Sequence, residues 1–350
     1  MFIQTISGIN SQADIVKISE VIRKLNLKGV RINLCKIPDD KIGNYYETIL
    51  ARLLSRELTG IDFYFDIPFP RNKSRIAHSN IVGGRIKKDS IYSIIFEKET
   101  EIQQDQFIIV EEGRLRPNLR KGSLIFYGDG EGSFIINSIE KSKIIVKACN
   151  NFYIKKDKAI FIANIENKLD EKWGDLFRLL SEQCPNKINV LPSFVDNKAN
   201  VSDIRKIIPE IVTIFPKIET AEAVKNIESI IEVSDGIVLA RGDLALNIKL
   251  SEYLHSLRRI AFLTKEKQKK VICATDILNH IGERMVPERA ELIDLLAMFE
   301  LGIDTFILPG TNTEDIFNSN ELKSKQIFRI IQNRIEFADR LLKESITNGR

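Results

Sequence analysis

Three charged side chains within residues 216–243 are spaced so that they could act together. Pro216-Lys217-Ile218-Glu219-Thr220 is followed by Ser234-Asp235-Gly236-Ile237-Val238-Leu239-Ala240-Arg241-Gly242-Asp243. Lys217 and Glu219 end one apolar run of strand length, and Asp243 stands just past the end of the next. Two carboxylates brought together from adjacent strand ends, with no Cys or His in the same stretch, form a hard oxygen donor pair suited to Mg2+ or Mn2+. A lysine beside them can neutralise charge that develops on a transferred phosphoryl group or an enolate. Gly242 lets backbone N–H groups come close to a ligand. The plainer alternative is a strand-edge ion pair followed by a turn, and either motif alone would favour it. Their placement on consecutive strands favours a site. Lys217 is expected to end in an open cleft, so that its loss costs catalysis rather than packing.

Such a site needs strands that end at one face. Short apolar runs occupy residues 2–7, 30–35, 62–67, 188–194, 211–218, 236–240, 271–274 and 305–308. Amphipathic stretches fall between them at 12–25, 43–58, 201–208, 221–233, 251–269 and 287–302, with a final one at 322–342. Continuous apolar runs of this length read as parallel strands buried on both faces, and Asp or Ser near several helix starts supplies caps. Eight strands with right-handed crossovers predict an α/β fold, a (β/α)8 TIM barrel with its active face at the strand C-termini. The rhythm stops at residues 71–164. There, β-type runs at 91–96, 106–110, 123–127, 133–139, 143–148 and 159–162 are punctuated by Gly113, Gly122, Gly128, Gly130 and Gly132. This predicts a small all-β domain inserted after strand three, with the barrel built from 1–70 and 165–345.

Composition excludes several classes. Basic residues number 52 against 48 acidic ones, a net charge of +4 with no basic stripe, which argues against a nucleic-acid partner. The basic stretch 114–121 reads as a solvated turn. No apolar run approaches the roughly 20 residues of a membrane span, and Met1-Phe2-Ile3-Gln4-Thr5 lacks the pattern of a signal peptide. Cys35, Cys149, Cys184 and Cys273 show no pairing pattern, so reduced thiols and a cytoplasmic location are expected. His78, His255 and His280 lack ligand spacing, and Trp173 is expected to pack.

Beyond these physical readings, the run from Lys217 to Asp243 resembles the central signature of the pyruvate kinases. Val271-Ile272-Cys273-Ala274-Thr275 and Pro287-Glu288-Arg289-Ala290-Glu291 resemble the family's next two blocks, and Leu308-Pro309-Gly310 falls where strand eight ends. Val30-Arg31-Ile32-Asn33, Phe65-Asp66 and Ser193-Phe194-Val195 resemble other strand ends, and Gly128-Asp129-Gly130 is similar to a motif of the family's mobile lid. The likeness spans nearly the whole chain and is most specific from Pro216 to Glu291.

The resemblance implies that Glu219 and Asp243 hold Mg2+ or Mn2+, and that Lys217 stabilises the phosphoryl group and the enolate of pyruvate. It places Thr275 near the proton donor to the enolate and Arg31 on phosphate. It also implies that backbone around Gly242 and Asp243 receives the substrate carboxylate, with Asn33, Ser193 and Lys73 (or Arg75, by a small shift) in further substrate contacts. Expected partners are a small anionic 2-oxo acid or its enol phosphate, ADP or ATP, and other copies in a homo-oligomer. The family's C-terminal allosteric domain is expected to be absent.

Departures cluster near strand two. Cys35, Lys36 and Ile67 replace a serine, a histidine and a threonine of the family, Arg71 replaces a glutamate, and Thr311 and Asn312 stand where an acidic residue is usual. Asn33, Cys35, Asp66 and Ile67 make a poor K+ pocket, so K+ is expected not to be required. Phosphoryl transfer between phosphoenolpyruvate and a nucleoside diphosphate leads. A Mg- or Mn-dependent lyase or decarboxylase acting on a 2-oxo acid without nucleotide, and a non-catalytic relative, stay open.

Overall fold

A computed structural model describes residues 2–7, 29–34, 60–67, 73–96, 106–110, 119–128, 131–140, 143–162 except 157, 171–278 except 185, 288–312, and isolated positions between 23 and 344. The chain divides into two compact units, one of Met1–Phe69 with Leu169–Arg350 and one of Pro70–Lys168.

The first unit is an α/β structure around one sheet. Its strands are β1 (Phe2–Ser7), β2 (Gly29–Asn33), β3 (Asp62–Ile67), β4 (Ile188–Pro192), β5 (Thr213–Ile214), β6 (Lys217–Ile218), β7 (Gly236–Ala240), β8 (Lys270–Ala274) and β9 (Thr305–Asn312). The order across the sheet is β5-β4-β3-β2-β1-β9-β8-β7-β6, and every pairing is parallel. Its two edges, β5 and β6, belong to the single segment 213–218, so the sheet curls until its ends meet in consecutive residues. Phe215 N–H donates to the Val190 carbonyl at 2.8 Å on one side, and Val238 N–H to the Pro216 carbonyl at 3.0 Å on the other.

The helices are α1 (Lys172–Gln183), α2 (Lys198–Ile207), α3 (Ala221–Lys225), α4 (Ile227–Val233), α5 (Arg241–Asn247), α6 (Leu250–Glu266) and α7 (Arg289–Glu300). Local chemistry sets their starts. Asn197 and Asn200 form a reciprocal capping box on α2, and the Thr220 hydroxyl accepts from Ala223 N–H to cap α3, satisfying donors left over at a helix start. The stretches 12–25, 43–58 and 322–342 lie largely outside the described residues, as do Cys35, Lys36, Arg71 and His280. Trp173 is buried and stacks on Phe177 at 6.4 Å; His78 and His255 are exposed. No helix among the described residues is long and apolar enough to cross a membrane.

The two faces of the sheet bury different sets. Val30, Ile32, Phe63, Phe65, Val190, Ile214, Ile218, Ile237 and Leu239 belong to the core shared with the helices. Ile3, Tyr64, Leu191, Phe215, Val238, Ile272 and Ile307 form a second core inside the curl. Because side chains alternate along a strand, the residues two beyond these inner ones face the same way. On β1, β3, β4 and the segment 213–218 those residues are Thr5, Asp66, Ser193 and Lys217, whereas on β7, β8 and β9 they are Ala240, Ala274 and Pro309. The inner layer thus turns polar at the C-termini of one part of the sheet.

In the second unit, strands at 73–79, 91–96, 107–110, 124–127, 132–139, 143–148 and 159–162 form one closed sheet. Its own core includes Ile94, Tyr127, Phe134, Ile136 and Val146.

Candidate active site

Asp66 is the hub of the polar layer. It is buried, and Lys217 Nζ reaches its Oδ1 at 3.0 Å and its Oδ2 at 3.2 Å. Arg31 Nε donates to Oδ2 at 3.1 Å, with Arg31 Nη2 on the same oxygen, and the Ser193 hydroxyl lies 3.4 Å from Oδ1. Arg31 Nη1 also donates to Thr5 Oγ1 at 3.2 Å. Register explains the meeting. Thr5 pairs with Arg31, Arg31 with Tyr64 two residues before Asp66, and Asp66 with Leu191 two residues before Ser193, so on four neighbouring strands these inward side chains lie within one inner-face step of each other. Burial pushes the Asp66 carboxyl up, but Lys217 and Arg31 more than reverse this and leave it at about 2.

Lys217 is shared. Its ammonium also lies 3.3 Å from Glu219 Oε1, and it is only 13% exposed. The expected open cleft is therefore corrected: strand alternation turns Lys217 inward between two buried carboxylates. Glu219 takes a second donor, Phe194 N–H at 2.5 Å to Oε2. Phe194 follows β4 with φ 51°, a left-handed conformation uncommon for a bulky residue. Burial still pushes Glu219 up to about 7, Lys217 opposing and the Asp243 charge adding to the rise.

Asp243 lies in the first turn of α5, immediately after β7. Among Asp66, Glu219, Asp243, Arg31 and Lys217 there are three carboxylates and two cations, so the group is short of positive charge. A divalent ion between Glu219 and Asp243 fits that shortage, and both donors are hard oxygens. No cluster of three or more His, Cys, Asp or Glu side chains is arranged for a metal among the described residues, so the protein would supply two carboxylates and leave the other positions to water or substrate.

Thr275 follows β8 with φ 77°, an unfavourable conformation for a β-branched residue. A Cβ added to Gly242 would lie 2.8 Å from Thr275 Cγ2, so glycine is what lets the turn after β7 meet Thr275. The structure thus brings together Arg31, Ser193 and Glu219 around Asp66 and Lys217 through direct contacts, with Asp243 in electrostatic reach of Glu219 and Gly242 against Thr275. Asn33 ends β2 opposite Asp66. Lys73 is the first residue of a strand in the second unit, and its side chain is outside the described ones. From the sequence Asp66 reads as a strand-end residue and as one member of a poor K+ pocket, not as the hub of the polar layer. The available signal was an acidic residue inside the apolar run Asp62–Ile67.

Comparison with known proteins bears on this arrangement of an inward lysine, two carboxylates and a strained threonine at parallel strand ends. A family model described as pyruvate kinase, barrel domain, matches residues 5–320. The chain belongs to the pyruvate kinase family. It is 28% identical to pyruvate kinase 2 of Saccharomyces cerevisiae over 62% of this chain and 44% of that protein. It is 30% identical to the pyruvate kinase of Clostridium acetobutylicum over 56% of this chain and 42% of that protein. With the pyruvate kinase of Schizosaccharomyces pombe it shares 24% identity over 89% of this chain and 66% of that protein. The aligned regions thus span about half the length of the first two relatives and under two thirds of the third.

Proposed function

We propose that the chain transfers a phosphoryl group between phosphoenolpyruvate and a nucleoside diphosphate, using a (β/α)8 barrel into which the unit Pro70–Lys168 is inserted as a lid-type domain. The observation that carries this reading is Lys217, held by Asp66 and Glu219 at 3.0 and 3.3 Å at the strand ends of a chain of this family. Glu219 and Asp243 would hold Mg2+ or Mn2+, which when bound supplies Lewis-acid stabilisation of developing negative charge.

The chain's own residues account for the rest. Phosphoryl transfer requires the P–O bond to the enol oxygen to break while a terminal oxygen of the diphosphate bonds to phosphorus. Lys217, fixed from both sides, can direct an N–H at an oxygen that gains charge, with little reorganisation. Arg31, oriented by Asp66 and Thr5, presents a planar fork suited to phosphate. Backbone around Gly242 and Asp243 receives the carboxylate, with Asn33 and Ser193 completing the contacts. The enolate left behind takes a proton at C3, and this reading assigns Thr275 to the side from which the proton comes.

K+ is not required in this reading. Ile67 has no side-chain oxygen, and its carbonyl already accepts from Ser193 N–H and Oγ, each at 3.1 Å. The Asp66 carboxylate is taken up by Arg31 and Lys217.

Proton NMR of pyruvate in D2O with Mg2+ tests the enolate chemistry, and phosphoenolpyruvate with ADP tests transfer. Exchange of the C3 protons together with ATP formation is expected. Exchange without ATP formation would refute the nucleotide step, and the absence of both signals would refute the proposal as a whole.

A further inference from the structure

Arg241 is the first residue after β7, only 8% exposed, and none of the proposed steps uses its charge. Its guanidinium reaches across to the end of β8, where Nε donates to the Ala274 carbonyl at 3.3 Å and Nη2 to the Thr275 carbonyl at 2.6 Å. Nη1 is paired with Asp294 Oδ1 on α7. The backbone of Arg241 is held in turn, its carbonyl accepting from the Tyr253 hydroxyl at 3.2 Å.

Two successive carbonyls of an extended strand point to opposite sides. Those of residues 274 and 275 reach one guanidinium because Thr275, with φ 77°, has left the extended conformation. The fork therefore reads the left-handed conformer and would lose a partner if Thr275 relaxed. On the other side of the same turn, Gly242 is in close approach to the Thr275 side chain, since a Cβ there would come within 2.8 Å of Cγ2. Arg241 and Gly242 thus hold Thr275 through its carbonyl and its side chain respectively.

We propose that Arg241, oriented by Asp294, is a positioning residue that holds Thr275 in its left-handed conformation and so sets the proton-delivery side of the site against the Gly242–Asp243 turn. The catalytic part rests on the function proposed above; the holding part does not.

Two measurements separate these parts. Arg241→Lys keeps the charge but loses the fork. In the phosphoenolpyruvate and ADP assay its kcat should fall about 100-fold, the scale of a misplaced group, while KM for phosphoenolpyruvate changes by less than about threefold. Asp294→Asn should move kcat the same way by less. Unfolding midpoints give the second readout. Glycine adopts positive φ without a Cβ penalty, so Arg241→Lys should lower the midpoint less in a Thr275→Gly background than in the wild type. Equal midpoint losses in both backgrounds would overturn the holding role. Activity that falls only with the folded fraction, at unchanged kcat per folded molecule, would overturn the positioning role. If Arg241→Lys does not fold, Asp294→Asn takes its place in both comparisons. If the wild-type protein shows no turnover, the proposed function fails and the midpoint comparison alone decides whether Arg241 holds Thr275.

Discussion

Asp66→Asn removes the acceptor on which Arg31 and Lys217 converge while preserving its shape. The carboxyl is buried and lies at about 2 rather than its ordinary 3.8. At about 1.4 kcal/mol per tenfold change in acidity, that difference corresponds to about 2 kcal/mol of folding stability at neutral pH. Because the folded-state value is lowered, the contribution is fully present well above 3.8 and is lost as pH falls toward 2. Linkage puts about half of it gone by pH 3. Leaving two cations facing a neutral amide adds a cost that depends little on pH, so the total loss at pH 7 should reach about 3 kcal/mol. Urea unfolding of both proteins, with chelator present, at pH 7, 5, 4 and 3 measures the difference. It should narrow by about 1 kcal/mol between pH 5 and pH 3; between pH 7 and 5 Glu219, raised to about 7 in part by the Asp66 charge, titrates as well. A variant as stable as the wild type at pH 7, or a gap that does not narrow in acid, would refute the assignment of Asp66 as the charged hub.

Lys217→Met should abolish phosphoryl transfer and also lower stability by about 3 kcal/mol, because two buried carboxylates lose a shared cation; unchanged urea unfolding with activity lost would restore the open-cleft picture. Asp243→Ala should raise the Mg2+ concentration for half-maximal activity at least about tenfold, the lower end of what even an outer metal partner contributes. Full activity of that variant in chelator would exclude the metal site. Turnover should be nearly equal in K+, Na+ and tetramethylammonium buffers of matched ionic strength. A strong K+ requirement would show that the region of Ile67 still binds the ion.

The α/β class was readable because the strands of the first unit are built on short, mostly apolar runs, as parallel strands buried on both faces are. The edges of the runs were less readable. The run at 188–194 yields β4 only to Pro192, since Ser193 turns to Asp66 and Phe194 goes left-handed. Residues 221–233 read as one helix but divide at Asn226, whose side chain donates to the Asp196 carbonyl at 2.9 Å. In β9 the chain continues through Pro309 and Gly310 to Asn312, although such residues ordinarily signal an end. Lys217 and Glu219 stood out because they are two apart in one run. The convergence of Arg31, Asp66, Ser193 and Lys217 did not, because it comes from lateral register between strands up to 186 positions apart in the chain. No local pattern encodes that. Arg241 was readable only as part of a motif, and its partners Thr275 and Asp294 lie beyond any local spacing.

The segment 213–218 carries a constraint on how this protein can vary. It supplies both edges of the curled sheet and presents Lys217 and then Glu219, so its length is fixed from two directions at once. One residue added between Ile214 and Lys217 would turn the following side chains to the opposite face, placing Ile218 inside and the lysine among the helices. One residue removed would leave a sheet edge without its pairing. Surface loops in such a chain can lengthen or shorten across descendants with little consequence. This hexapeptide can change its letters but not their number, and an insertion here would remove the seam of the fold and the charge at its centre in a single event.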